Sequence, residues 1–94
     1  MLVLNVTYIT KPGMRDSFLA KVRELQMAEK SRAEEGNVAY EYHIPLEGDD
    51  RIFLLEKWND EEAFAAHTKE EHFLALGKIK NEYVEETILE KYSV

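Results

Sequence analysis

Apolar side chains change period several times along this chain, and each change marks an element. Leu2 to Thr10 is rich in β-branched and aromatic residues and predicts a first strand. That strand is apolar on both sides, with Leu2, Leu4, Val6 and Tyr8 on one and Val3 and Ile9 on the other. Lys11-Pro12-Gly13 breaks it. Met14, Phe18, Val22 and Leu25 then recur at helical spacing, with Leu19 and Ala28 beside them. Gly36 stands where a helix-terminating glycine belongs, so this first helix is expected to end near Glu35.

Val38 to Leu46 alternates, placing Val38, Tyr40, Tyr42 and Ile44 on one face and Ala39, Glu41 and His43 on the other. Glu47-Gly48-Asp49-Asp50 is turn chemistry, and Ile52 to Trp58 is a second strand-like run, giving a β-hairpin. Ile52 and Leu54 oppose Phe53 and Leu55, so this strand too is apolar on both faces. Asn59 with Glu62 has the form of a capping box and opens a short helix through Phe64 and His67. Thr68 with Glu71 repeats the form, predicting a second short helix to about Glu82. Thr87 to Val94 closes the chain as a fourth strand.

Strand, helix, hairpin, broken helix, strand is an α+β order: a ferredoxin-like antiparallel sheet with helices on one face, forming a single domain over residues 1–94. Helices can cover only one face of a two-sided apolar sheet. The other face is expected to meet a second copy in a sheet-on-sheet homodimer. The hydrophobic fraction of 45% in so short a chain strengthens that expectation.

Net charge of −7 with no basic stripe argues against nucleic acid as a partner. The N-terminal stretch has neither a basic leader region nor a long apolar run, so no membrane partner and a cytoplasmic location are expected. The absence of Cys removes a disulfide framework, a thiolate nucleophile and a Cys-rich zinc site.

Candidate chemistry concentrates in Glu56 to Phe73, where two histidines, a tryptophan and two phenylalanines lie among carboxylates. His67 shares the inward helix face with Ala63 and Phe64, and His72 lies on or near the inward face with Leu76. Five residues apart, they sit about 140° from one another round an unbroken helix, which suits no i, i+4 metal pair; no metal is expected. Both histidines also fit a role as satisfied core or rim residues, and spacing alone favours that role. Asn5 interrupts an apolar strand, sharing its face with Thr7; it reads equally as an amide bonded to a neighbour or as a ligand-orienting group. Trp58 is a core anchor whose indole N–H wants an acceptor. Tyr40 and Tyr42 are expected on the dimer side, Tyr83 as a helix-end anchor and His43 exposed. The acidic runs at Asp60 to Glu62 and Glu70-Glu71 belong to helix first turns.

The KPG after strand 1, the EEG ending at Gly36 with Tyr40 four beyond, and E-x-W-x-D-x-x-A-x-x-x-H-x-x-x-x-H-F from Glu56 to Phe73 together resemble the antibiotic biosynthesis monooxygenase (ABM) domain family. The resemblance spans essentially the whole chain and is nearest to its quinol monooxygenase branch. It implies a dimeric α+β barrel with a pocket in each subunit between sheet and helices. It also implies oxidation of a small quinol-like or polycyclic aromatic by O₂ without metal or flavin, the deprotonated substrate passing an electron to oxygen directly. On that footing His67, Asn5 and His72 are the candidate catalytic residues, and Trp58, Phe73, Leu76, Thr7 and Phe64 the candidate substrate walls. Haem-degrading relatives place a Trp near the position of His67 and an axial His near Gly77, so that chemistry is disfavoured here. Other relatives isomerise small phosphorylated sugars; Lys69, Lys78 and Lys80, the basic groups nearest the pocket helices, are expected mostly to point outward, which weakens a phosphate-ligand reading. The alternative is a non-catalytic or stress-associated dimer that uses the same pocket for a small apolar ligand.

Overall fold

The computed structural model describes residues 1–94. The elements are β1 (Leu2–Thr10), α1 (Arg15–Glu24), α2 (Met27–Arg32), β2 (Asn37–His43), β3 (Arg51–Trp58), α3 (Glu61–His67), α4 (Glu71–Tyr83) and β4 (Val84–Ser93). They form one antiparallel sheet in the order β2-β3-β1-β4. No helix is long and apolar enough to cross a membrane.

Strand alternation decides which face the helices cover. Leu2, Leu4, Val6, Tyr8 and Thr10 of β1 are buried, as are Ile52, Leu54, Glu56 and Trp58 of β3. Register sets Leu4 opposite Glu56 and Val6 opposite Leu54, so these side chains share one face. Phe18, Leu19, Val22, Met27 and Leu76 from the helices complete that core. The intervening residues Val3, Asn5, Thr7, Ile9, Phe53 and Leu55 are half-buried on the other face, where no helix packs.

Several details depart from the expectations. The first helix does not run to Glu35: it stops after Glu24, and Gln26 takes the left-handed conformation (φ 56°) before α2 begins. A non-glycine there costs roughly 1–2 kcal/mol. The bend turns Met27 and Ser31 into the core, and Arg32 Nε donates to the Tyr40 carbonyl at 3.0 Å, offsetting the strain. Tyr40 and Tyr42 lie on the helix-covered face, not the dimer side, because hairpin register sets them opposite Glu56 and Leu54. Val38 leaves their face at a register shift between Asn37 and Ala39 and is exposed. β2 ends at His43, short of Leu46, ahead of Pro45.

Asp60, not Asn59, caps α3, its carboxylate accepting from the Ala63 N–H at 2.8 Å. Thr68 closes α3 rather than opening α4: its hydroxyl donates to the Ala65 carbonyl at 2.7 Å. β4 starts at Val84, three residues before Thr87, and nearly all of it is exposed at the sheet edge.

Candidate active site

Four chain segments converge on the helix-covered face at one end of the sheet. β3 presents Glu56 and Trp58 inward, α3 ends on His67, and α4 presents His72 one residue into its first turn. The connection from α2 to β2 carries Glu34. Gly36 makes this convergence feasible. Its φ of +85° is left-handed, and a Cβ there would stand 2.6 Å from the Ala63 Cβ, so only glycine lets the connection lie against α3.

One Glu34 oxygen, Oε2, accepts from both imidazoles: from His67 Nδ1 at 2.6 Å and from His72 Nε2 at 2.7 Å. A carboxylate oxygen accepts, which assigns the protons to those two nitrogens. The free nitrogen of His67, Nε2, then faces Glu56 Oε1 at 3.9 Å. Glu56 in turn accepts the Trp58 indole N–H at 3.1 Å, the acceptor that Trp58 was expected to need. His67 therefore lies between two carboxylates, inside a box of rings. Trp58 is 4.6 Å away between centroids, Phe73 5.2 Å, Tyr40 5.7 Å and Phe64 6.2 Å. Its side chain is 1% exposed.

Burial governs the electrostatics. It pushes the Glu56 carboxyl up to about 7; the Trp58 hydrogen bond opposes this and the neighbouring Glu34 adds to it. Burial also lowers the His67 pKa, against the pull of its Glu34 hydrogen bond. Near neutral pH the imidazole is thus uncharged and able to take a proton.

Of the expected site residues, His67, His72, Trp58, Phe64 and Phe73 come together here, and Leu76 is buried on the same helix face as His72. Asn5 and Thr7 do not join them. Both lie on the uncovered sheet face, opposite Leu55 and Phe53, because they alternate with the buried residues of β1. Thr7 instead lines a broad cleft beside the hairpin with His43, Arg51 and Phe53. Tyr40, Tyr42 and Trp58 fill much of the space between sheet and helices where a pocket was expected. Tyr42 leaves its hydroxyl buried with no partner. Lys69 and Lys78 are exposed as expected, but Lys80 turns inward and sets its ammonium 5.2 Å over the Tyr8 ring. The 140° separation of the histidines holds only for an unbroken helix. The break between α3 and α4 brings their rings to 5.7 Å, and spacing no longer argues against shared chemistry.

Glu34 and Glu56 were not identified in advance as site residues. Glu56 did carry a signal, since it falls on the buried phase of β3 between Leu54 and Trp58. Glu34 gave none beyond its place ahead of Gly36.

Glu56 also sets a pH dependence of stability. The folded state holds its proton up to about pH 7, whereas an ordinary carboxyl releases it near 4.5. Stability from this group therefore falls as pH rises between those values, and above them the buried charge costs on the order of 3 kcal/mol. Glu56→Gln keeps an oxygen for the Trp58 N–H and removes the charge. Its melting temperature should exceed that of the wild type by several degrees at pH 8 and by little at pH 4. Equal differences at both pH values would contradict the burial effect.

The family model described as antibiotic biosynthesis monooxygenase matches residues 1–78. The Bacillus subtilis (strain 168) protein named "Putative monooxygenase YcnE" is 37% identical over 73 residues, which are 78% of this chain and 75% of that one. The crystal structure of PA3566 from Pseudomonas aeruginosa superposes with a TM-score of 0.89 at 25% identity, covering 99% of this chain and 92% of that chain. A Bacteroides thetaiotaomicron protein of unknown function, described as a possible oxidoreductase, superposes with a TM-score of 0.85 at 31% identity, covering 97% and 94%.

Proposed function

This chain belongs to the antibiotic biosynthesis monooxygenase family, and from that premise we propose that it oxidises a small quinol-like aromatic with O₂, using its own side chains and no metal or organic cofactor. The observation that carries the reading is His67, held through Nδ1 by Glu34 at 2.6 Å, with Nε2 making no hydrogen bond, 3.9 Å from Glu56 inside a box of aromatic rings.

In this reading Nε2 of His67 takes the phenolic proton. Glu34 fixes the tautomer and stabilises the imidazolium that forms. The electron-rich anion gives one electron to O₂, and the two radicals join at a ring carbon. One oxygen atom stays on the product; the other leaves as water with the two hydrogens the substrate loses. The Tyr42 hydroxyl, buried without a partner, is the candidate donor to the developing anion in place of Asn5. Substrate conversion should stop without oxygen and resume in air. Conversion that continues anaerobically would remove the reading.

The tight packing of His67 favours a second reading, a non-catalytic dimer in which the same cluster is structural. Trp58 is the sole tryptophan and lies 4.6 Å from His67. Under either reading its emission should report a small aromatic that enters; only the first adds oxygen uptake.

We place a homodimer in both readings, on the half-buried Val3, Phe53 and Leu55 and the exposed Ile88 and Tyr92 of the uncovered face. Such an interface should bury about 2,000 Å² or more, the upper end of the standard range or beyond it. Light scattering at micromolar concentration should return twice the 11.0 kDa chain mass. A monomer there would contradict it.

A further inference from the structure

We propose that Glu34, His67 and His72 form a binding site for one divalent transition-metal ion of the zinc type, and that an ion bound there silences His67 as a base. The binding claim goes beyond the proposed reaction and stands apart from it; only the loss of turnover rests on that reading.

Three observations carry it. First, one carboxylate oxygen and two imidazole nitrogens converge, all within 4.8 Å of one another, from three separate segments. Two imidazoles with a carboxylate suit Zn²⁺ or Co²⁺; Ca²⁺ and Mg²⁺ prefer all-oxygen surroundings. Second, an outer partner lies within a small movement of hydrogen-bond reach. A ligating histidine usually donates its other N–H to a carboxylate. When Nδ1 of His67 binds an ion its proton moves to Nε2, which faces Glu56 at 3.9 Å, and Glu56 is itself held by Trp58 at 3.1 Å. Third, a surface cleft of about 270 Å³ reaches His72, lined by the carboxylates of Glu70 and Glu71 against one ammonium, Lys30. It offers a route in and a side from which water can complete the coordination.

The present contacts are those of hydrogen bonds. Bonds of about 2.0–2.1 Å in a tetrahedral site set neighbouring ligands roughly 3.4 Å apart, against 2.6 and 2.7 Å here. Binding therefore spreads Glu34 from both histidines by several tenths of an ångström, while the two imidazole nitrogens, up to 4.8 Å apart, close toward the same separation. The short Thr68 to Glu70 break and the Ala33 to Gly36 connection are where that spread can be taken up.

The test is Zn²⁺ titration of chelator-treated protein by calorimetry, with Co²⁺ absorption as the geometric readout. Wild type should bind one ion per chain with a tetrahedral Co²⁺ spectrum. Glu34→Gln and His72→Ala should each weaken binding at least about tenfold. His43→Ala, at the exposed histidine paired with Glu41, should bind as wild type does. Melting curves confirm that each variant is folded, and Glu34→Gln carries the comparison if His72→Ala is not. No saturable ion at micromolar concentration overturns the proposal, as does equal affinity in Glu34→Gln or loss of binding in His43→Ala.

Discussion

His67→Ala lowers turnover of a responsive hydroquinone by about 10²–10⁴-fold, the usual consequence of removing a positioned acid–base group. The variant also loses stability, because it empties part of the ring box and leaves Glu34 with His72 alone. Activity must therefore be expressed per folded chain. Glu34→Gln isolates the chemistry: it keeps an oxygen for hydrogen bonding but removes the charge that stabilises a protonated His67. Its kcat should fall while the fold is kept, whereas His43→Ala, with a half-exposed side chain far from the cluster, should match wild type. A purely structural His67 forecasts the opposite pattern. His67→Ala would then melt early and remain fully active per folded molecule, and that outcome would remove the base assignment.

Trp58→Ala should cost about 3–5 kcal/mol, the range for truncating a large buried aromatic. Trp58 is fully buried, its ring contacts His67 and Phe64, and its N–H is a hydrogen bond to the buried Glu56. A domain of this size has only about 5–15 kcal/mol in total, so a loss of this size removes a large share of its stability. Trp58→Phe separates the two contributions. It keeps most of the volume but leaves Glu56 without its donor, at a cost of about 1–3 kcal/mol. Urea unfolding measures both; an alanine variant within 1 kcal/mol of wild type would contradict this role for the side chain.

Much of the architecture was legible because it rests on period and punctuation. The alternation of β1 and β3, the Lys11-Pro12-Gly13 break and the turn at Glu47 to Asp50 are local signals, and the strands and hairpin follow them. The kink at Gln26 was not legible, since no glycine or proline marks it and the burial of Met27 and Ser31 decides it. The start of β4 was hidden for a related reason: an exposed edge strand held by backbone pairing with β1 has no need to alternate.

The site was half legible. His67, His72 and Trp58 stood out as chemistry-bearing residues on inward faces, and a helix break near Thr68 was visible in the repeated capping pattern. What the break does was not: it turns two residues that an unbroken helix would separate into neighbours. Glu34 is brought in by a contact across 33 positions, which no local pattern reports. Asn5 failed for a simple reason. One step of strand alternation sets it on the opposite side of the sheet from Leu4 and Glu56.

Oxygen consumption by the chelator-treated protein, followed with an electrode over a panel of small hydroquinones and anthrones, decides whether this chain oxidises such aromatics. At least one compound should draw oxygen well above its rate without protein, one O₂ per substrate, with no oxygen returned when catalase is added and with His67→Ala close to background. Uptake at the protein-free rate across the panel, or uptake that His67→Ala fully retains, would contradict it.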